Sequence, residues 1–268
     1  REQVPAAQAA SEYQILAVKY ATVDRARGSN FLHSAPGDPD APMALDFFVW
    51  LIDGPGGAVL VDTGFSPASA IARGRRYLVS PPESLRRLGH APESIRDVVV
   101  THLHYDHAGN VGEFPAATAW VQDREMRYAT GDCMCDPKQN HFFSTDDVAV
   151  LIRRLYQGSV RLVDGFHELR DGIELHRVGG HTDGLQVARV RTARGWVVLA
   201  SDAAHYYENL ALQNPFPAIF SLPDMLAGYA RIRALADGED LIVPGHDPAV
   251  CTRFESAGVP GVHAYRIA

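Results

Sequence analysis

Short apolar runs alternate along this chain with segments of helical periodicity, and turn residues separate them. The runs that predict strands, by length and β-branched content, are 12–23, 45–53, 58–62, 97–100, 119–121 and 173–178. The segments that predict helices are 66–76, 82–88 and 145–156, with Thr145 as the expected N-cap of the last. The turn DGPGG at 53–57 predicts a hairpin between two of the strands. This alternation indicates an α/β fold.

Metal-ligand side chains follow several of these runs, at the points where strands should end. The segment THLHYDHAGN comes directly after the run at 97–100 and carries His102, His104, Asp106 and His107. Three further donors end apolar runs or stand in the loop after one, namely His181, Asp202 and His246. Because turns follow them, these side chains are free to converge on a common point. Imidazole and carboxylate together suit zinc, iron or manganese, so the pattern predicts a metal site.

The spacing of the donors favours two ions over one. His-x-His places two imidazoles on the same side of an extended segment, whereas Asp106 and His107 point elsewhere. A carboxylate at Asp202 would bridge two ions about 3.5 to 4 Å apart, as in two-metal hydrolytic sites. The remaining histidines recur in no such cluster, and we expect structural roles for them: His33, His90, His141, His167, His176 and His263.

The seven donors, in this order, resemble the full ligand set of the metallo-β-lactamase superfamily, and the match spans residues 45–250. Asp62 in VLVDTGF resembles the family's strand-end aspartate that supports the metal loop from behind, although it could also simply close a strand into a turn. The resemblance implies a four-layer αββα sandwich in a single domain, with the site at one edge of two sheets. It also implies one zinc on His102, His104 and His181, a second on Asp106, His107 and His246, and Asp202 between them.

Length and charge agree with this interpretation. The 268 residues allow one large domain, for which we expect a core at about 12–252 and a flexible segment at 1–11. The net charge is −7 and the basic residues are scattered, which disfavours nucleic acid as a partner. No apolar run is long enough to span a membrane. We expect a cytoplasmic protein with Cys133 and Cys135 as free thiols; a removed leader is the alternative, and a homodimer stays open.

The ligand set predicts hydrolysis, because paired zinc ions polarise a carbonyl and acidify a water molecule. Within the superfamily, classical β-lactamases would have cysteine at Asp202, flavodiiron proteins would have glutamate at His104, and glyoxalase II enzymes would continue well beyond His246. The segment SDAAHYYENL instead resembles N-acyl homoserine lactone lactonases, with Glu208 and Asn209 matching without a gap.

One position departs from that lactonase pattern. The family places a tyrosine three residues after the bridging aspartate, as donor to the lactone carbonyl, and this chain has His205 there, followed by Tyr206. Either residue could donate to the oxyanion, and the alternative is that the segment only packs an entrance loop. Asp106 would return a proton to the leaving ring oxygen.

We therefore expect a zinc-dependent lactonase with two Zn²⁺ per chain, acting on N-acyl homoserine lactones in quorum quenching. Iron, manganese and cobalt are alternative metals. Alternative functions are a thioesterase or other carboxylic ester hydrolase, another small-molecule lactonase, or a zinc-binding protein without catalysis. The residues expected to contact the acyl chain of the lactone or ester substrate are Phe47, Phe48, Phe142, Phe143, Phe216 and Phe220.

Overall fold

The computed structural model describes residues 10–268, so most of the segment expected to be flexible lies outside the described residues. Within that range the first sheet has nine strands: β1 (Gln14–Val23), β2 (Leu45–Asp53), β3 (Val59–Val61), β4 (Arg76–Tyr77), β5 (Asp97–Val99), β6 (Thr118–Gln122), β7 (Val160–Val163), β13 (Glu255–Ser256) and β14 (His263–Arg266). Their order is β13-β14-β1-β2-β3-β5-β6-β7, and β4 pairs with β1. Strands β3, β5, β6 and β7 run parallel, and the other pairs are antiparallel.

The second sheet has five strands in the described part of the chain: β8 (Phe166–Arg170), β9 (Ile173–Arg177), β10 (Gln186–Thr192), β11 (Gly195–Ser201) and β12 (Ile242–Pro244). Their order is β12-β11-β10-β9-β8, and only β11 and β12 pair in parallel. The helices are α1 (Pro67–Arg73), α2 (Pro81–Arg87), α3 (Tyr105–Ala108), α4 (Asp123–Ala129), α5 (Pro137–Asn140), α6 (Thr145–Tyr156), α7 (Tyr207–Leu212), α8 (Leu222–Leu235) and α9 (Val250–Arg253). None of these helices is both long and apolar enough to cross a membrane.

Strand β2 shows how the layers are held together, since it is buried on both faces. Phe48, Trp50 and Ile52 point into the core between the two sheets, where they meet residues of β9, β10 and β11. The alternate residues, among them Phe47 and Val49, pack in the second core with residues of α2, α4 and α6. On the far side of the second sheet, Tyr229 and Ile232 of α8 cover β11. The predicted αββα sandwich is confirmed.

Two local predictions need correction. The N-cap of α6 is Ser144, whose hydroxyl accepts from the backbone N–H of Asp147, and Thr145 is the first helical residue. The helix expected at 66–76 ends at Arg73, because Gly74 adopts a left-handed conformation with φ of 64°. Arg76 and Tyr77 then form β4 against β1.

Strand direction explains why the predicted donors meet. Strands β3 and β5 are parallel, as are β11 and β12, and β9 runs in the same direction as β11 because both are antiparallel to β10. Parallel strands have their carboxyl ends at one edge of a sheet, where ligand sites form in such folds. The loops that leave these five strands all carry predicted site residues.

Candidate metal centre

Six of the predicted donors form two sets at this edge. The first donor set is His102, His104 and His181, and the second donor set is Asp106, His107 and His246. In each set the potential ligand atoms lie within 4.8 Å of one another. Apart from Asp106, which is partly accessible, all of these residues are buried. The structure therefore places three donors at each of two neighbouring points.

Asp202 lies between the two sets. Its Oδ2 is 3.2 Å from Nε2 of His181, in the first set. Its Oδ1 is 3.2 Å from Nε2 of His107 and 3.1 Å from Nε2 of His246, in the second. One carboxylate thus offers one oxygen to each donor set.

Hydrogen bonds orient the imidazoles of His181 and His246 so that their Nε2 atoms face the centre. Nδ1 of His181 lies 2.6 Å from the Ala218 carbonyl oxygen, and Nδ1 of His246 lies 2.7 Å from the Asp46 carbonyl oxygen. A carbonyl can only accept, so each Nδ1 carries the proton and each Nε2 keeps a free lone pair. This is the tautomer that a metal ligand requires.

Asp62 orients two further histidines from behind the centre. Its carboxylate accepts from the backbone N–H of Thr101 at 2.7 Å, from the Thr101 hydroxyl at 2.8 Å and from Nδ1 of His107 at 2.7 Å. Since the Thr101 hydroxyl donates to Asp62, it accepts from Nδ1 of His102, 3.1 Å away. Asp62 itself has a positive φ of 61°, a conformation that aspartate tolerates better than most residues.

Glu125, on α4, is a supporting residue that no sequence motif singled out. Its fully buried carboxylate accepts from the backbone N–H of Leu103, from the Thr182 hydroxyl and from the backbone N–H of Gly184. It thereby ties the loop of His102 and His104 to the loop of His181. A Cβ on Gly184 would lie 2.2 Å from the Glu125 nitrogen, so this close approach requires glycine.

The donor atoms fit divalent metal ions. Nε2 of His102, Nε2 of His107 and Oδ1 of Asp202 are buried without a hydrogen-bond partner among the described residues. Buried polar atoms almost always have a hydrogen-bond partner. Three neighbouring atoms without one therefore indicate a ligand that accepts lone pairs. Seven nitrogen and oxygen donors match zinc and the neighbouring transition metals.

Protonation states in the first donor set favour metal binding. Burial lowers the pKa of His102 and of His104 well below the usual value, so both imidazoles are neutral. Burial alone would raise the pKa of Asp202, but His246 and His107 hold it well below the usual range. Neutral imidazole and ionised carboxylate are the forms that bind metal.

In the second donor set, protonation of a histidine opposes metal binding. Burial lowers the pKa of His107, but the neighbouring Asp202 and Asp106 outweigh burial and raise it above the usual value. Protons therefore compete with a cation for this set.

A cavity of about 610 Å³ opens onto the donors. Phe47, Phe142 and Phe216 line it, together with His205 and Asp106. Phe143 is buried behind the wall, and its ring centre lies 4.8 Å from that of His104 in an edge-to-face arrangement. Phe220 lies outside the cavity lining, is 39% exposed and packs against Tyr128.

Phe48 is a correction to the list of expected acyl-chain contacts. It follows Phe47 on β2, so it points to the opposite face, where it packs in the core between the sheets beside Trp50. The structure does not bring Phe48 to the cavity.

His205 and Tyr206 also point in opposite directions. The His205 imidazole lines the cavity, with Nε2 2.8 Å from Oδ2 of Asp202 and its ring stacked on Phe216 at 3.3 Å. The Tyr206 hydroxyl instead donates to the Ala44 carbonyl at 3.1 Å, and its ring is buried outside this cavity. Of the two candidate oxyanion donors, only His205 faces the site.

The residues after His205 hold the loop between β1 and β2. The Glu208 carboxylate forms a two-bond ion pair with the Arg27 guanidinium. The Asn209 amide donates to the backbone carbonyls of Asn30 and Asn214. These two residues therefore fix the loop against α7 and do not contact the donors.

Of the histidines expected to be structural, His141 is exposed at the wall of the cavity. His90 lies 3.6 Å from Asp53, and His167 stacks on Trp120. Cys133 and Cys135 are exposed free thiols.

Comparison with known proteins gives the same class. The family model of the metallo-β-lactamase superfamily matches residues 48–246. An N-acyl homoserine lactonase from Bacillus sp is 30% identical over 222 residues, which is 76% of this chain and 82% of that protein. An N-acyl homoserine lactonase from Bacillus cereus is 27% identical over 232 residues, covering 78% and 84%.

A solved structure of an N-acyl homoserine lactone hydrolase, with the product N-hexanoyl-L-homoserine bound at its catalytic metal centre, superposes with a TM-score of 0.75. It is 22% identical and covers 92% of this chain and 97% of its own. The chain belongs to the metallo-β-lactamase superfamily and is a metal-dependent hydrolase.

Proposed function

We propose that this protein hydrolyses the lactone ring of N-acyl homoserine lactones, using two zinc ions held by the two donor sets. The observation that carries the proposal is the Asp202 carboxylate, which offers one oxygen to each donor set at the floor of a cavity of about 610 Å³. The names of the lactonase relatives support a lactone as substrate.

Each donor set would hold one of the two ions. His102, His104 and His181 would hold one ion, Asp106, His107 and His246 the other, and Asp202 both. When bound, a zinc pair supplies Lewis-acid polarisation of a carbonyl and a water molecule of lowered pKa. Iron, manganese or cobalt would fit the same donors.

The chain's own residues act on the ring at two atoms. His205 faces the cavity, where its Nε2–H donates to Oδ2 of Asp202. This N–H would turn from Asp202 to the carbonyl oxygen as negative charge develops there. Oδ2 of Asp106 is placed to pass a proton from the attacking water to the ring oxygen as the C–O bond breaks. The products are a carboxylate and a hydroxyl on one open chain.

The apolar side chains of the cavity wall are placed to contact the acyl chain. Phe47, Phe142 and Phe216 line the cavity beside Leu45 and Ile219. Burying an alkyl chain against such side chains gives about 0.8 kcal/mol for each CH₂ group. Binding should therefore strengthen with chain length until the chain leaves this wall.

The test is a comparison of hydrolysis rates on the zinc-loaded protein. We expect kcat/KM for homoserine lactones with butanoyl to decanoyl chains to exceed that for a thioester and a phosphodiester by about 10² or more. The thioester has no leaving oxygen for Asp106 to protonate, and the phosphodiester has no carbonyl to accept from His205. Faster hydrolysis of the thioester would replace the proposal with a thioesterase function. Absence of lactone opening by the zinc-loaded protein would overturn it.

A further inference from the structure

The cavity wall above the donors carries an excess of positive charge. The protein has a net charge of −7, yet apart from the metal donors this wall includes Arg25, Arg75 and Lys138 and a single carboxylate, Asp24. Asp24 is exposed, and its carboxylate lies 4.0 Å from the guanidinium of Arg76, a residue that does not line the cavity. Among residues 10–268, none of the three cations of the wall has a carboxylate within 4.0 Å.

Arg75 is the best placed of these cations. It is half-buried, whereas Arg25 and Lys138 are exposed. Its Nε donates to the Tyr105 hydroxyl at 3.0 Å, and its Cζ lies 5.9 Å from the centre of the Phe47 ring. Within the described part of the chain, its two terminal nitrogens have no hydrogen-bond acceptor. The guanidinium is thus oriented by its Nε bond while its outer edge is left for another partner.

Tyr105 adds a second donor at the same place. Because its hydroxyl accepts from Arg75, the hydroxyl proton remains free to donate. The ring is buried and stacks under the guanidinium of Arg73, with Cζ 3.8 Å from the ring centre. Tyr105 stands between the donors His104 and Asp106 in sequence and lines the cavity with them. The donors of Arg75 and Tyr105 therefore line the same cavity as the metal donors.

A half-buried guanidinium with free N–H groups is stabilised most by an anionic, planar acceptor. A carboxylate accepts two parallel N–H bonds from arginine and a third from a hydroxyl. An uncharged alkyl chain would leave these donors without partners in a partly desolvated wall. The charge of the wall also favours the approach of an anion.

We propose that Arg75 and Tyr105 form a carboxylate-binding subsite, so that the preferred substrates are lactones with an anionic group on the acyl part. This inference rests on the proposed lactonase function for the reacting end of the molecule. The lactone ring lies at the metal centre, the acyl carboxylate binds Arg75 and Tyr105, and Arg25 and Lys138 attract the anion from solution.

The experiment compares two homoserine lactones of equal chain length, one ending in a carboxylate and the other in its methyl ester. For the wild type we expect kcat/KM about tenfold higher on the carboxylate, as for a charge-assisted bond that is partly solvated. The preference should shrink in about 1 M salt, which screens exposed charge. In Arg75→Gln the preference should vanish, so that kcat/KM becomes equal on the two lactones. Arg76→Gln, which alters the neighbouring exposed arginine, should keep the preference.

Equal rates on the two lactones, or a preference that survives Arg75→Gln, would overturn the subsite. Failure of the proposed function is a separate outcome, in which neither lactone is opened. In that case, calorimetry measures the binding of the two corresponding lactams, which resist hydrolysis. Their relative affinities then show whether the subsite exists. Tighter binding of the carboxylated lactam that is lost in Arg75→Gln supports the subsite, and equal binding of both lactams contradicts it.

Discussion

Oδ2 of Asp62 lies 2.7 Å from Nδ1 of His107, and both side chains are buried. The same carboxylate accepts two bonds from Thr101, which in turn accepts from His102. One aspartate therefore fixes the imidazole orientation of one histidine in each donor set. It does so without facing the metal centre itself.

Replacing Asp62 with Asn should weaken metal binding while the backbone is kept. Asparagine tolerates the positive φ of this position, but its NH₂ group would face at least one of the three donors that Asp62 accepts from. Loss of such a supporting carboxylate typically costs about 10- to 100-fold in metal affinity. Zinc affinity measured by competition with a chelator checks this. Asp53→Asn, at the exposed end of β2, is the matched control, and equal affinities in both variants would contradict the assigned role.

Glu125→Gln tests the tie between the two loops that carry the first donor set. Three donors face the carboxylate, so in either orientation the new NH₂ group would oppose an N–H or O–H donor. An unsatisfied buried group costs about 1–3 kcal/mol, and we expect the free energy of unfolding to fall by that amount. Urea denaturation gives the value. The exposed Glu113→Gln should leave stability unchanged, and a Glu125→Gln protein as stable as the wild type would refute the tie.

The orientation of His205 and Tyr206 predicts opposite kinetic effects. His205→Ala removes the donor that faces the cavity and should lower kcat by about 10² or more. Tyr206→Phe removes a bond to the Ala44 carbonyl, which should cost about 1 kcal/mol of stability and leave kcat within about threefold. Kinetics and thermal melts of both variants test the pair. A large loss of kcat in Tyr206→Phe with a normal His205→Ala would reverse the assignment.

The pH dependence of the rate follows from the burial of His205. Burial lowers the pKa of His205 to about 3, so the imidazole stays neutral as the pH rises through the range where a free histidine titrates, about 6.5. His205→Gln should therefore give a pH–rate profile with the same inflections as the wild type, at a different rate. An inflection near pH 6.5 that disappears only in His205→Gln would show that the protonation of His205 matters.

Much of the metal centre is predictable because its donors are tied to regular structure. His102, Asp202 and His246 each follow an apolar run, and the carboxyl ends of their strands share one edge of the sandwich. Spacing and residue type are local information, so the sequence carries them directly.

The groups that orient the donor histidines could not be predicted in the same way. The acceptors for His181 and His246 are backbone carbonyls that lie 37 and 200 residues away, and a carbonyl has no signature in sequence. Phe48 shows a second limit of prediction from sequence, which concerns the direction of a side chain on a buried strand. Strand β2 is buried on both faces, so no polar alternation reveals which of two adjacent phenylalanines faces the cavity.

The most direct test of the account is a titration of metal-free protein with zinc, followed by lactone hydrolysis. Since Asp202 offers an oxygen to each of two donor sets, we expect activity to rise until about two zinc ions are bound per chain and then to level off. Elemental analysis of the saturated protein should give the same ratio. Full activity at one zinc per chain, with no second ion retained, would contradict the two-metal site.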